Sequence, residues 1–349
     1  MINLEDYNYH LPSELIANAP TKKRDAAKLF VYNTKTDEIH FDTFLHIGTY
    51  LPKPSLLIFN NTKVVPARLW LTKETGGKIE VLLMMNELRP GDTCIKGIVD
   101  RKILPGAKLF FKNGTMLTVE RQEEQFFFFT PSIPLSELWK LLEDEGVTPL
   151  PPYIKDSPLS ETVLRTEYQS VLAKYPASVA APTASLHFTT DLLKKLEQEK
   201  IERAEVTLHV GAGTFAPIDE DNFREKKLFT EYYDIALESA EKINAAKKNG
   251  TPVIPVGTTA LRTLESAAIK KGVLESGTRG TNIFIYPPYE FQIADGLITN
   301  FHVPKSSLML LVDAQLKHKR AKRNILALYE IAKKEKFRFY SFGDGMLIL

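Results

Sequence analysis

Six short apolar segments crowd between Pro66 and Pro131, and no gap between them is long enough for a crossover helix. The segments are Arg68 to Thr72, Lys78 to Met85, Thr93 to Val99, Lys108 to Lys112, Met116 to Glu120 and Gln125 to Thr130. Each is rich in β-branched or aromatic residues or alternates with period two, the pattern of a half-buried strand. Between them stand Gly76-Gly77, Pro90-Gly91, Pro105-Gly106 and Asn113-Gly114. Asn-Gly is a strong hairpin signal because both residues tolerate positive φ. Parallel strands need a connection of about a dozen residues or more. The spacing therefore predicts antiparallel pairing and, with so many short strands, a small barrel. A helix over Leu135 to Glu145, stopped at Gly146, closes the segment.

Sequence on either side has a different texture. Asp191 to Lys200 is amphipathic through Leu192, Leu193 and Leu196, with Thr190 as the candidate N-cap. Glu205 to Val210 alternates as a strand. Ser239 to Lys248 reads as a helix ended by Asn249-Gly250, and Pro252 to Val256 as a short strand. Gly257-Thr258-Thr259 then opens a helix running to Lys271, with Gly272 as its stop. A basic helix over Lys317 to Lys336 precedes a strand-like Phe337 to Phe342. The 349 residues are enough for two unequal cores. The expected fold is α/β: a layered α/β main domain, residues 1–66 plus 150–349, interrupted by a small inserted antiparallel β-barrel domain, residues 67–149.

Several function classes are disfavoured. Cys94 is the single cysteine, so this chain provides neither a disulfide framework nor a cysteine-ligated iron–sulfur cluster. No strong metal-ligand spacing stands out, and no metal is expected. The densest apolar run, Leu308 to Val312, is far too short to span a bilayer, and residues from Met1 to Pro12 lack the pattern of a signal peptide. A cytoplasmic protein is expected. The net charge of +2 means that a polyanionic partner would have to be met by a local patch.

Candidate chemistry collects in a few places. Ser178 to Phe188 is built of small residues around one imidazole, His187, and small side chains let backbone approach a ligand. A tightly packed turn with a hydrogen-bonded histidine accounts for the same residues. Val206 to Phe215 runs a strand containing His209 into Gly211-Ala212-Gly213-Thr214, whose N–H groups could face a ligand. It lacks the third glycine of a dinucleotide loop, and a simple strand-to-loop turn is the alternative. Gly257-Thr258-Thr259 offers a helix N-terminus to an anionic group, with Arg262 and Glu265 following, although an ordinary capped helix would look alike. Thr299 to Ser307 gathers Asn300, His302, Lys305 and several hydroxyls, and Lys317 to Arg323 is a basic cluster that a solvated surface would also explain.

Taken together, these segments resemble the S-adenosylmethionine:tRNA ribosyltransferase-isomerases of queuosine biosynthesis. The resemblance runs from Tyr7-Asn8-Tyr9-His10-Leu11-Pro12 through Phe59 to Arg68, Thr75 to Lys78, Pro149 to Tyr153 and Ala180 to Phe188. It continues through Leu208 to Phe215, Val256 to Ser266, Phe284 to Pro287, Thr299 to Pro304 and Arg338 to Leu349. The chain departs from the family's pattern at Asn61, Lys63 and Asn282, where the family has Asp, Arg and Asp, and at Lys226 and Phe229, where histidines are usual. Ala177 and Ser185 stand in place of glycines.

The resemblance implies transfer of the ribosyl part of S-adenosylmethionine to 7-aminomethyl-7-deazaguanine at the wobble position of tRNA. The sugar is rearranged to an epoxycyclopentanediol, and adenine and methionine leave. Such chemistry needs a base beside the sulfonium, an acid for adenine and a holder for the methionine carboxylate. Imidazoles suit the first two tasks, so His187, His209 and His302 are the catalytic candidates. Ala181, Pro182, Thr183, Gly211, Gly213, Thr214, Gly257, Thr258, Thr259, Arg262, Glu265 and Asn300 are the candidates for holding S-adenosylmethionine. Lys63, Arg68, Lys305, Lys319, Arg320 and Arg323 are those for tRNA phosphates. A monomer is expected. Two other readings are an S-adenosylmethionine-dependent tRNA methyltransferase, which the poor glycine loop disfavours, and a tRNA-binding relative without activity.

Overall fold

A computed structural model describes residues 2–89, 91–211 and 218–349. Among these residues nine strands form the main sheet, in the order Gly277–Ile283, Lys227–Ile235, Ile201–His209, Ser55–Asn60, Val253–Val256, Leu297–Asn300, Gly345–Ile348, Lys28–Asn33, Glu38–Thr43. The four strands from Ile201–His209 to Leu297–Asn300 run parallel, and antiparallel pairs flank them. Ser55–Asn60 and Val253–Val256 are buried along their whole length, as parallel strands covered on both faces must be. Their side chains divide with period two. Leu57, Phe59 and Ile254 pack on Leu192, Leu193 and Leu196 of the helix Thr190–Gln198. Leu56, Ile58 and Val253 pack on Ala240 and Ile243 of the helix Leu237–Lys248 and on Ala260 and Leu264 of the helix Thr258–Ala267. The helices Ser307–His318 and Ile325–Lys334 cover Phe30, Tyr32, Leu297 and Ile348. The result is a three-layered α/β structure.

A closed barrel of six antiparallel strands interrupts it, formed by Arg68–Lys73, Lys78–Leu83, Ile95–Val99, Lys108–Phe110, Met116–Glu123 and Phe126–Pro131. Ile79, Val81 and Leu83 alternate inward with Leu69, Leu71, Leu117, Val119 and Phe129, and the helix Leu135–Glu145 adds Leu138, Leu141 and Leu142. The chain enters and leaves the barrel side by side. Arg68 and Val147 bridge through two backbone hydrogen bonds, Val147 N–H to Arg68 O at 2.8 Å and Arg68 N–H to Val147 O at 3.3 Å. Gly146 fits against Pro66 so closely that a Cβ there would lie 1.9 Å from the Pro66 carbonyl oxygen.

Four local expectations need correction. The basic helix is two helices, because the chain turns at Arg320 (φ +56°) and Asn324 recaps the second by accepting from Ala327 N–H at 2.9 Å. Phe337 to Phe342 is not a strand; its aromatic alternation serves core packing, with Phe337 and Phe339 both against Phe301. The helix begun at Thr258 ends at Ala267, and Gly272 (φ +76°) turns a short hairpin between Ala268–Lys270 and Val273–Leu274. Thr189, not Thr190, caps the helix Thr190–Gln198, accepting from Leu192 N–H at 3.1 Å.

Candidate active site

The parallel strands Val253–Val256 and Leu297–Asn300 end at a cavity of about 400 Å³. Ligand sites in open α/β sheets lie outside the carboxyl ends of the strands. Three separate sequence segments meet there: Ala181, Pro182 and Thr183; Gly257, Thr258 and Thr259; and Asn300, His302 and Lys305. Small size explains the first meeting. A Cβ on Gly257 would lie 3.8 Å from the Ala184 side chain, ordinary van der Waals contact, so side chains longer than a methyl group at either place would push the segments apart. Gly257 has φ +93° and ψ 154°, a region open essentially to glycine alone. Its N–H is taken by Ile298 O at 2.7 Å, which aims the following helix from the sheet edge toward the cavity. That helix has no side-chain cap at its first turn, leaving the positive end of its dipole available to an anion.

The imidazoles are placed differently from one another. His302 lines the cavity, with Nε2 2.9 Å from Thr299 Oγ1 and its backbone N–H donated to Tyr329 Oη at 2.8 Å. Burial pushes its pKa down to about 3. His187 sits behind the wall, stacked on Phe44 at 4.7 Å and 3.3 Å from the Asn300 amide nitrogen, and burial pushes it down to about 4. His209 ends its strand with Nδ1 2.8 Å from Thr62 Oγ1, its pKa lowered by burial and by Arg89. Deeply depressed pKa values keep His187 and His302 neutral near pH 7. Neither ring therefore begins the reaction holding the proton that departing adenine needs.

Arg262 and Glu265 do not line the cavity. Arg262 expends its charge on Glu231, Nη1 to Oε2 at 2.6 Å, in a pair with side chains only 6% and 3% exposed. Glu231 Oε1 also accepts the Gly211 N–H at 2.9 Å. Arg262, a candidate for holding S-adenosylmethionine, thus meets a carboxylate of the protein itself, and Gly211 is held by the same carboxylate. Glu265 accepts N–H groups of Gln292, Ile293 and Ala294 at 2.8, 3.0 and 3.0 Å, anchoring a loop, while burial raises its pKa. Gly213 and Thr214 lie outside the described residues.

Of the cations expected at phosphates, Arg68 is engaged by Glu80 at 3.1 Å and Leu150 O at 2.9 Å, and Arg323 by Asp37 at 3.0 Å. Lys319 donates to Asp295 O at 2.7 Å, at the far end of the strand Leu297–Asn300 from the cavity. Lys305 reaches the cavity rim but pairs with Glu5 at 2.6 Å. Lys63 and Arg320 are exposed. Sequence reasoning missed Tyr168, Tyr340 and Ser341 on the cavity wall. Tyr340 adopts φ +70°, which nothing in its side chain announces. Tyr153, whose hydroxyl is 2.7 Å from Ser341 Oγ, was signalled only by the Pro151-Pro152-Tyr153 motif.

A family model described as queuosine biosynthesis protein matches residues 4–348. An S-adenosylmethionine:tRNA ribosyltransferase-isomerase of Carboxydothermus hydrogenoformans is 43% identical, covering 100% of both chains. One of Thermosipho melanesiensis is 42% identical, covering 99% of this chain and 100% of its own. The crystal structure of an S-adenosylmethionine tRNA ribosyltransferase from Thermotoga maritima superposes with a TM-score of 0.54 at 31% identity, covering 99% of this chain and 100% of that one.

Proposed function

The chain belongs to the queuosine biosynthesis protein family, and from that premise we propose that it is an S-adenosylmethionine:tRNA ribosyltransferase-isomerase acting on 7-aminomethyl-7-deazaguanine at the wobble position. The observation that carries this reading is the cavity of about 400 Å³ where three separated segments meet at the ends of parallel strands. It is large enough for a nucleoside-sized ligand and lined mostly by apolar and hydroxyl side chains.

In this reading the uncapped start of the helix Thr258–Ala267, with the Thr258 and Thr259 hydroxyls, receives the methionine carboxylate. His302, an imidazole on the cavity wall, removes a proton from the carbon beside the sulfonium, whose positive charge makes that carbon acidic. The aminomethyl nitrogen of the base bonds to the ribosyl carbon and loses a proton to solvent, adenine departs with the proton that His302 took up, and methionine leaves as the sugar rearranges. Arg262 acts from behind, holding Glu231 and through it Gly211. Lys63, Arg320 and Lys305 are the cations we assign to RNA phosphates, and a tRNA substrate places the chain in the cytosol. No helix among the described residues is long and apolar enough to cross a membrane.

The test is turnover on tRNA carrying the aminomethyl base. Adenine and methionine released together support the reading. S-adenosylhomocysteine would instead identify a methyltransferase, and no product at all a binding relative without activity.

A further inference from the structure

Among the described residues that line the cavity, His187 is absent. It is 5% exposed and presents one face to Phe44. Its Cδ2 would be 3.5 Å from a Cβ on Gly345, so the ring is boxed from that side as well. Asp344, Arg338 and Arg24 are the charged groups acting on it. What joins it to the cavity is Asn300. The Asn300 amide nitrogen lies 3.3 Å from His187 Nε2 and donates to Tyr340 O, also at 3.3 Å. The carbonyl oxygen of the same carboxamide accepts from the Thr183 hydroxyl at 3.3 Å, and both Asn300 and Thr183 line the cavity.

We infer that His187 is a positioning residue for the proposed reaction: its Nε2 accepts one Asn300 N–H, Tyr340 O accepts the other, and the carboxamide thereby offers the cavity an acceptor oxygen. A donor at Nε2 would favour the opposite orientation and break the Asn300 bond to Tyr340 O, which would keep only the Gly343 N–H at 3.0 Å. An acceptor dipole in this wall suits donors and positive charge, which S-adenosylmethionine carries as its sulfonium and ammonium. The inference rests on the proposed function for its ligand and on the hydrogen-bond geometry for its mechanism.

Glutamine can place an amide oxygen near the position of a histidine Nε2, and asparagine reaches only as far as Nδ1. His187→Gln is therefore expected to restore near-normal S-adenosylmethionine binding. His187→Asn and His187→Leu should each raise the dissociation constant about ten-fold, the loss of one buried hydrogen bond. All three should keep the shape of the wild-type pH profile of kcat. A Gln variant as slow as the Leu variant, with one limb of the profile gone, would make His187 a proton carrier and overturn the inference. So would Asn and Leu variants that bind and turn over like wild type. Should His187→Leu prevent folding, the Gln and Asn pair still decides. If wild type itself shows no turnover, the proposed function fails separately, and NMR of the unliganded protein reads the geometry. The Asn300 side-chain amide protons should exchange slowly in wild type and the Gln variant and faster in the Asn variant, and equal rates in all three would refute the inference.

Discussion

Burial of His302 has two consequences that can be measured apart. As the proposed base it should be indispensable: His302→Asn is expected to bind S-adenosylmethionine but to release adenine about a hundred-fold more slowly. Its folded pKa of about 3 lies below the ordinary 6.5. Between those values the unfolded chain binds a proton that the folded chain refuses, so stability is lost as pH falls. The contribution is roughly 1.4 kcal/mol per pH unit at this one site, and urea titrations at pH 7 and pH 5 should show a smaller drop in the Asn variant than in wild type. Arg262 makes a contrasting prediction. Removing it strands the Glu231 carboxylate in a buried site, so Arg262→Ala should cost about 3–5 kcal/mol of stability, seen as a lower Tm. Loss of S-adenosylmethionine affinity without that drop would return Arg262 to the ligand. These two residues also show where sequence legibility stops. The segments holding His302 and Arg262 both stand out in the sequence, and only one side chain turns to the cavity. A helix periodicity places Arg262 near its own N-terminus, but the partner Glu231 comes from a strand 31 residues away in the chain, a pairing no local pattern encodes.

Elements are most legible where neighbours in sequence are neighbours in space. The helix Leu135–Glu145 and the barrel strands fall near their expected ends because turn residues and local periodicity set them. The helix expected through Lys317 crosses a real break because basic residues continue on both sides of Arg320, and only its φ of +56° marks the corner. Gly257 is the junction on which the proposed ligand site depends. No side chain blocks a methyl group there, since the nearest atom to a built Cβ is 3.8 Å away, so any penalty is in the backbone. Gly257→Ala should therefore destabilise the fold by about 1–3 kcal/mol and, by tilting the helix that follows, weaken S-adenosylmethionine binding by calorimetry. Unchanged stability and affinity would show that the junction tolerates an ordinary residue.

On the scale of the molecule, the barrel has its own apolar interior, distinct from those on the two faces of the sheet. We propose that residues 67–149 are an inserted domain folding as a unit within a main domain of residues 1–66 and 150–349. Hydrogen exchange on the full chain in rising denaturant should then show the barrel amides opening together at one free energy, apart from the central parallel strands. A single opening step for both would argue for one cooperative unit. The pairing of Arg68 with Val147 carries this further. Residues bridged in this way lie about 5 Å apart, so the main fold meets the barrel as if at a hairpin. A turn of a few residues could rejoin the strand ends, and barrels of other sizes could be spliced at the same joint, without rerouting any strand of the sheet. Insertions and replacements that keep those two ends together leave the architecture around the cavity intact, which makes this joint a natural place for the molecule to acquire or exchange a surface for a large substrate.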